Sequence, residues 1–143
     1  MLESQMNKQQ SLSSQRIIMV VDDEPYIVGI MEILLKRHGF SVFGFNDPLA
    51  ALECFELEKE RIQLIISDIR MPAMNGYELI RKVRILKPEI KVILLSAFDI
   101  NPHDFSKVLP SIKIDEFVSK PVSPTQIIGI VKTHMPTVSN SEG

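Results

Sequence analysis

The 143-residue chain predicts an α/β fold, a five-stranded parallel sheet with helices on both faces. Three observations carry that reading. Short apolar runs alternate five times with stretches whose apolar residues recur every three to four positions, the pattern of repeated βαβ units. The runs Ile17-Ile18-Met19-Val20-Val21, Leu64-Ile65-Ile66 and Val92-Ile93-Leu94-Leu95 are continuous rather than alternating, as strands buried on both faces are. Four of the runs stop at residues of different chemistry: Asp22-Asp23, Asp68, Ser96 and Lys120. In open parallel sheets, ligands gather at the carboxyl ends of the strands, so these stops are candidate site positions.

The elements follow in order. Residues 1–15 are rich in Gln and Ser, lack apolar periodicity, and are expected to be a disordered extension. Strand one covers Arg16 to Val21. Pro25 suits a first helical turn, and Ile27, Ile30, Met31, Leu34 and Leu35 form the expected buried stripe. Gly39 stops that helix after Lys36-Arg37-His38, which makes His38 a helix-end residue rather than a ligand. Phe40 to Phe45 mixes polar and apolar residues, as an edge strand does.

Asp47-Pro48 opens a second helix that runs to Lys59. Cys54 falls within its pattern and reads as a small buried thiol. The third strand, Ile62 to Ile66, leads to Asp68 and the stiff loop Met71-Pro72-Ala73-Met74. Asn75 with Glu78 three residues on is a capping box, and the helix behind it buries Leu79, Ile80, Val83 and Leu86. Arg81, Lys82 and Arg84 are expected to face water. Strand four covers Ile90 to Leu95. Asn101-Pro102 opens a short helix that Pro110 stops, strand five covers Ile114 to Ser119, and Ser123-Pro124-Thr125-Gln126 caps a last helix with Ile127, Ile128 and Val131 inward. One domain over 16–136 and a polar tail over 137–143 complete the division.

Composition narrows the function classes. Hydrophobic content of 45%, charged content of 24% and a net charge of −2 describe an ordinary globular chain without the basic stripe of a nucleic-acid binder. No apolar run reaches membrane-spanning length, and no apolar segment near the start suits a signal peptide. With one cysteine, no internal disulfide forms. A reducing cytoplasm fits these features.

The segments Val20-Val21-Asp22-Asp23-Glu24-Pro25, Ser67-Asp68-Ile69-Arg70-Met71-Pro72, Leu95-Ser96-Ala97 and Phe117-Val118-Ser119-Lys120-Pro121 together resemble the receiver domains of response regulators in two-component systems. The resemblance runs from about Arg16 to Met135. It implies a doubly wound, flavodoxin-like sheet of order 2-1-3-4-5. It also implies phosphorylation of Asp68 by a histidine kinase or a histidine phosphotransfer protein. By the same resemblance Mg²⁺ is held by Asp23 and Asp68, by Asp22 mainly through water, and by the Arg70 main-chain carbonyl. An all-oxygen donor set with few protein ligands suits that ion. Lys120 and Ser96 are then phosphoryl-oxygen partners, and Ser96 and Phe117 the switch. Arg70 and Phe98 flank the phosphoryl group, which predicts slow loss of phosphate. Pro110-Ser111-Ile112-Lys113 departs from the small-residue segment usual before the last strand. The chain is expected to carry no output domain and to be monomeric when unphosphorylated, and it would act on a downstream protein that the residues do not identify.

Other readings are weaker. A dehalogenase-type phosphatase needs a second acid two residues after its nucleophile, where this chain has Arg70. A dinucleotide-binding turn needs glycines, and Asp22-Asp23-Glu24-Pro25 has none. A receiver-like adaptor that is never phosphorylated is the serious alternative, against which the complete acidic pair, Asp68, Ser96 and Lys120 weigh.

Overall fold

The computed structural model describes residues 16–97 and 112–135. The expected extension 1–15, Phe98, the short helix after Asn101-Pro102 and the tail 137–143 lie outside them. The elements are β1 (Ile17–Val21), α1 (Pro25–Arg37), β2 (Ser41–Phe45), α2 (Pro48–Glu58), β3 (Ile62–Asp68), α3 (Gly76–Leu86), β4 (Lys91–Ser96), β5 (Glu116–Ser119) and α4 (Pro124–His134). The five strands are parallel in the order β2-β1-β3-β4-β5, so the expected order and the edge position of β2 both hold.

Strand alternation divides the core between the two faces. From β1, Ile17, Met19 and Val21 join Val92 and Leu94 of β4 under α2 and α3. Ile18 and Val20 join Ile93 and Leu95 on the opposite face, under α1 and α4. In β3 the register slips once, Ile17 pairing with Ile62 and Ile18 with Leu64, which leaves Gln63 as the exposed extra residue of a bulge. Past the bulge, Leu64 and Ile66 face one layer and Ile65 the other.

The helix starts follow the capping expectations. Asn75 accepts from Glu78 N and the Glu78 carboxylate accepts from Asn75 N, a complete box. Ser123 accepts from Gln126 N, and Asp47 accepts from Leu49 N. His38 lies at the end of α1 with Nδ1 3.1 Å from Leu34 O, as a helix-end histidine should.

Several expectations are corrected. The buried side of α1 is Val28, Met31 and Leu35, whereas Ile30 is 55% exposed. β3 runs on through Ser67 and Asp68, because both still pair with neighbours, Val21 and Leu95. β5 starts only at Glu116. Ahead of it, the Asp115 carboxylate accepts from Val92 N at 2.8 Å and Asp115 N donates to Val92 O at 3.0 Å, so a side chain takes a ladder position.

Arg84 does not face water. Its guanidinium donates to Lys113 O at 2.7 Å, to Pro88 O at 2.8 Å and to Ile90 O, and lies 3.3 Å from the Asp115 carboxylate. Lys87 donates to Lys59 O at 2.8 Å and Ile62 O at 2.6 Å. Burial holds its ammonium below the usual lysine value, with the charges of Glu89 and Glu60 opposing. Cations thus tie helix ends and strand starts together along the amino edge of the sheet.

Candidate functional site

At the opposite, carboxyl edge the strands end in acid. β1 finishes at Val21, and the next residue, Asp22, is buried. Its amide donates to Phe45 O at 3.1 Å, while one carboxylate oxygen accepts from Glu24 N at 3.0 Å. That turn closes the entry to α1 and leaves the second oxygen, Oδ2, to accept from Lys120 Nζ at 2.8 Å. Asp23 stands beside it and is the more open of the pair.

Asp68 ends β3. Its Oδ1 accepts from Ile69 N at 2.9 Å, and its Oδ2 lies 3.5 Å from Lys120 Nζ. The following loop fits closely against this backbone. Ile69 N donates to Leu95 O, Gly76 N donates to Ile69 O at 2.7 Å, and Ala73 turns the chain with φ of 72°. A side chain at Gly76 would collide with the Asp68 carbonyl oxygen, so only glycine lets α3 start against the strand end. This requirement was missed in reading the sequence. Its one signal was the glycine directly after the Asn75 cap.

The sequence-predicted residues gather here in part. Carboxylate oxygens of Asp22, Asp23 and Asp68 lie within 4.8 Å of one another. Lys120, past the end of β5, bridges two of the three, and its amide donates to Ser96 O at 2.6 Å. Ser96 is buried at the end of β4, one residue beyond Leu95, the register partner of Asp68. Phe117 pairs with Leu94 on β5 and is partly buried against the core beneath α2 and α3. Arg70 is exposed in the loop after β3 and close enough to Tyr77 for its charge to act on the phenol.

The electrostatics follow from burial and repulsion. Burial pushes the Asp68 carboxyl up to about 6, with Asp22 and Asp23 adding to the rise and Lys120 and the Ile69 amide opposing it. Burial opposes the charge on Lys120 too, yet the hydrogen bond and charge of Asp22, with Asp68 behind them, hold its ammonium above the usual lysine value. One ammonium among three carboxylates leaves a net negative cleft, and the donors are all oxygen. That set suits a hard divalent cation.

A doubly wound sheet carrying converging acids at its strand ends defines a class, the α/β domains that do their chemistry at the carboxyl edge. A family model for the response regulator receiver domain matches residues 18–132, and the chain belongs to that family, the phospho-signalling domains of two-component systems. It is 33% identical over 119 residues to the regulatory protein VanRc of Enterococcus gallinarum, covering 82% of this chain and 49% of that one. It is 34% identical over 116 residues to the alkaline phosphatase synthesis transcriptional regulatory protein PhoP of Bacillus subtilis strain 168, covering 80% and 46%. The chain therefore spans about half the length of those regulators. A crystallised CheY-like receiver domain protein from Methanospirillum hungatei JF-1 superposes with a TM-score of 0.74 at 25% identity, covering 90% of this chain and 98% of that one. No helix among the described residues is long and apolar enough to cross a membrane.

Proposed function

We propose that residues 16–136 form a receiver unit that accepts a phosphoryl group on Asp68 from a phosphohistidine donor, a histidine kinase or a histidine phosphotransfer protein, in the cytoplasm. The observation that carries this reading is the meeting of Asp22, Asp23 and Asp68 within 4.8 Å, with Lys120 Nζ reaching two of them. In this reading Asp23, Asp68 and the Arg70 main-chain carbonyl would hold Mg²⁺ directly and Asp22 would do so mainly through water. When bound, it offsets their mutual repulsion and draws charge from phosphoryl oxygens.

The chain's own groups then act as follows. An Asp68 carboxylate oxygen attacks phosphorus, the phosphorus–nitrogen bond to the donor imidazole breaks, and the electron pair leaves with that imidazole. Lys120 transfers part of its attention from Asp68 to a phosphoryl oxygen as a point charge. Ser96 donates its hydroxyl to another. Movement of Ser96 lets Phe117 turn inward from its half-buried position, and the changed surface is read by a downstream protein.

Incubation with a small phosphodonor and Mg²⁺, followed by intact-mass measurement, tests the reading. The wild type should gain one phosphoryl group and Asp68→Asn none. No gain in either would support the phosphate-independent adaptor instead, and equal gain in both would put the phosphoryl group on a residue other than Asp68.

A further inference from the structure

Strand β5 contains Phe117, and Lys120 follows its last residue, yet little in β5 itself fixes where it sits. It has four residues, pairs with β4 alone among the described residues, and fully buries only Val118. Packing holds the register of so short and open a strand weakly, and a slip of one residue turns each side chain to the opposite face. At the carboxyl end, Lys120 N donates to Ser96 O at 2.6 Å. A slip toward the amino edge would put Pro121 there, which has no N–H to donate. A slip the other way is not blocked: Ser119 would take the bond, and the Lys120 side chain would turn away from Asp22 and Asp68.

Resistance to that slip comes from the amino end. Asp115 holds both main-chain groups of Val92, accepting from its N–H at 2.8 Å and donating to its carbonyl at 3.0 Å. Arg84, in the last turn of α3, holds the Asp115 carboxylate at 3.3 Å and the Lys113 carbonyl at 2.7 Å. Its other terminal nitrogen reaches Pro88 O and Ile90 O, just before β4. The opposite end of the same helix, Gly76, is seated against the Asp68 carbonyl. One helix thus abuts the backbone of Asp68 at its start and grips the origin of β5 at its end. Its 11 residues span about 16 Å, and the strand steps from Asp115 to Lys120 cover a similar distance. Lys120 Nζ is thereby returned to 3.5 Å from Asp68. We propose that Arg84 and Asp115 are positioning residues for phosphoryl acceptance, locking the register of β5 so that Lys120 faces Asp68. The proposal rests on the reading of Asp68 as acceptor and Lys120 as its phosphoryl-oxygen partner. Neither Arg84 nor Asp115 touches the reacting atoms, and both act through Lys120.

Two measurements on the full chain test the lock: amide hydrogen exchange, and the rate of phosphorylation by acetyl phosphate with Mg²⁺. Arg84→Met should speed exchange at Val118 to Lys120 at least about tenfold more than at Ile18 to Val21 in β1. It should slow phosphorylation about tenfold in the wild-type background and less than about twofold beside Lys120→Met, because the group it positions is then already gone. Far-UV circular dichroism establishes that each variant is folded. If Arg84→Met is not, Arg84→Lys carries the same comparison, since it keeps the charge and loses the planar fork, with about threefold slowing expected. A folded Arg84 variant phosphorylated as fast as wild type would overturn the proposal. So would equal slowing with and without Lys120, unchanged exchange in β5, or a Lys120→Met as fast as wild type. A wild type that gains no phosphoryl group, or an Asp68→Asn that gains one equally, would instead overturn the acceptor reading, and the proposal with it.

Discussion

At the amino edge of the sheet, Arg84 and Lys87 each direct their donors at backbone oxygens that the ends of α2 and α3 and the starts of β3 and β4 leave over. At the carboxyl edge, three carboxylates face one another across 4.8 Å with Lys120 between them. The same strands end in satisfied polar groups on one side and in repulsion on the other. The first arrangement holds helices and strands in register. The second leaves a charge imbalance that a cation or a phosphoryl group can relieve, and that is where binding energy becomes available for signalling.

The contrast breaks most directly at Arg84. Arg84→Met removes its carbonyl hydrogen bonds and its ion pair with Asp115, whose carboxylate, 5% exposed, keeps the Val92 amide at 2.8 Å and two lysines at 3.8 and 3.9 Å. A loss of about 2–4 kcal/mol in urea unfolding is expected. A loss below about 0.5 kcal/mol would show that the amino edge carries no more stability than ordinary surface.

The opposite sign is expected at the other edge. The Asp68 carboxyl titrates at about 6 in the fold, above the value near 4 of an unfolded chain. The folded state thus holds its proton more tightly, and stability falls as pH rises from about 4 through about 6. Without metal, wild type should be more stable at pH 5 than at pH 7. Asp68→Asn should lack that slope and exceed wild type at pH 7 by about 1–2 kcal/mol. Saturating Mg²⁺ should close the gap by stabilising wild type alone, which differential scanning calorimetry with and without the ion would read. A variant less stable than wild type in metal-free buffer would show that the acids are not in conflict.

The smallest effect sharpens the picture between the edges. Ala73 holds φ of 72°, a region that costs a residue with a Cβ about 1 kcal/mol and glycine almost nothing. Ala73→Gly should stabilise by about 0.5 kcal/mol once the freer unfolded chain is counted. A shift of the urea midpoint downward would place the strain elsewhere in the loop.

How much of this could be read beforehand depends on what each residue's partner is. Asp22, Asp68, Ser96 and Lys120 were legible because strand ends are visible as breaks in apolar runs, and a parallel sheet brings those ends together whatever the loops do. The two faces of the core were legible for the same reason. Ile30 was misplaced because α1 carries apolar residues on both sides at helical spacing, so periodicity allowed two stripes and the wrong one took Ile30 in place of Val28. Arg84 was misread because its partners are backbone oxygens, which have no letter in the sequence, and Asp115, which stands 31 positions away. The φ of Ala73 and the tight fit at Gly76 are three-dimensional facts of the same kind.

Arg16 carries one more implication. It stands just before β1 and donates from Nη2 to Met135 O at 2.8 Å, past the last turn of α4, while its guanidinium lies 5.1 Å from the centre of the Phe40 ring. The way in and the way out of the domain are therefore adjacent, pinned by one side chain. Tension applied across residues 16 and 135 would open this clasp first, without shearing the sheet. A domain with its ports side by side can be spliced into a loop of another protein, or re-cut elsewhere with its present ends joined by a short linker, and keep its architecture.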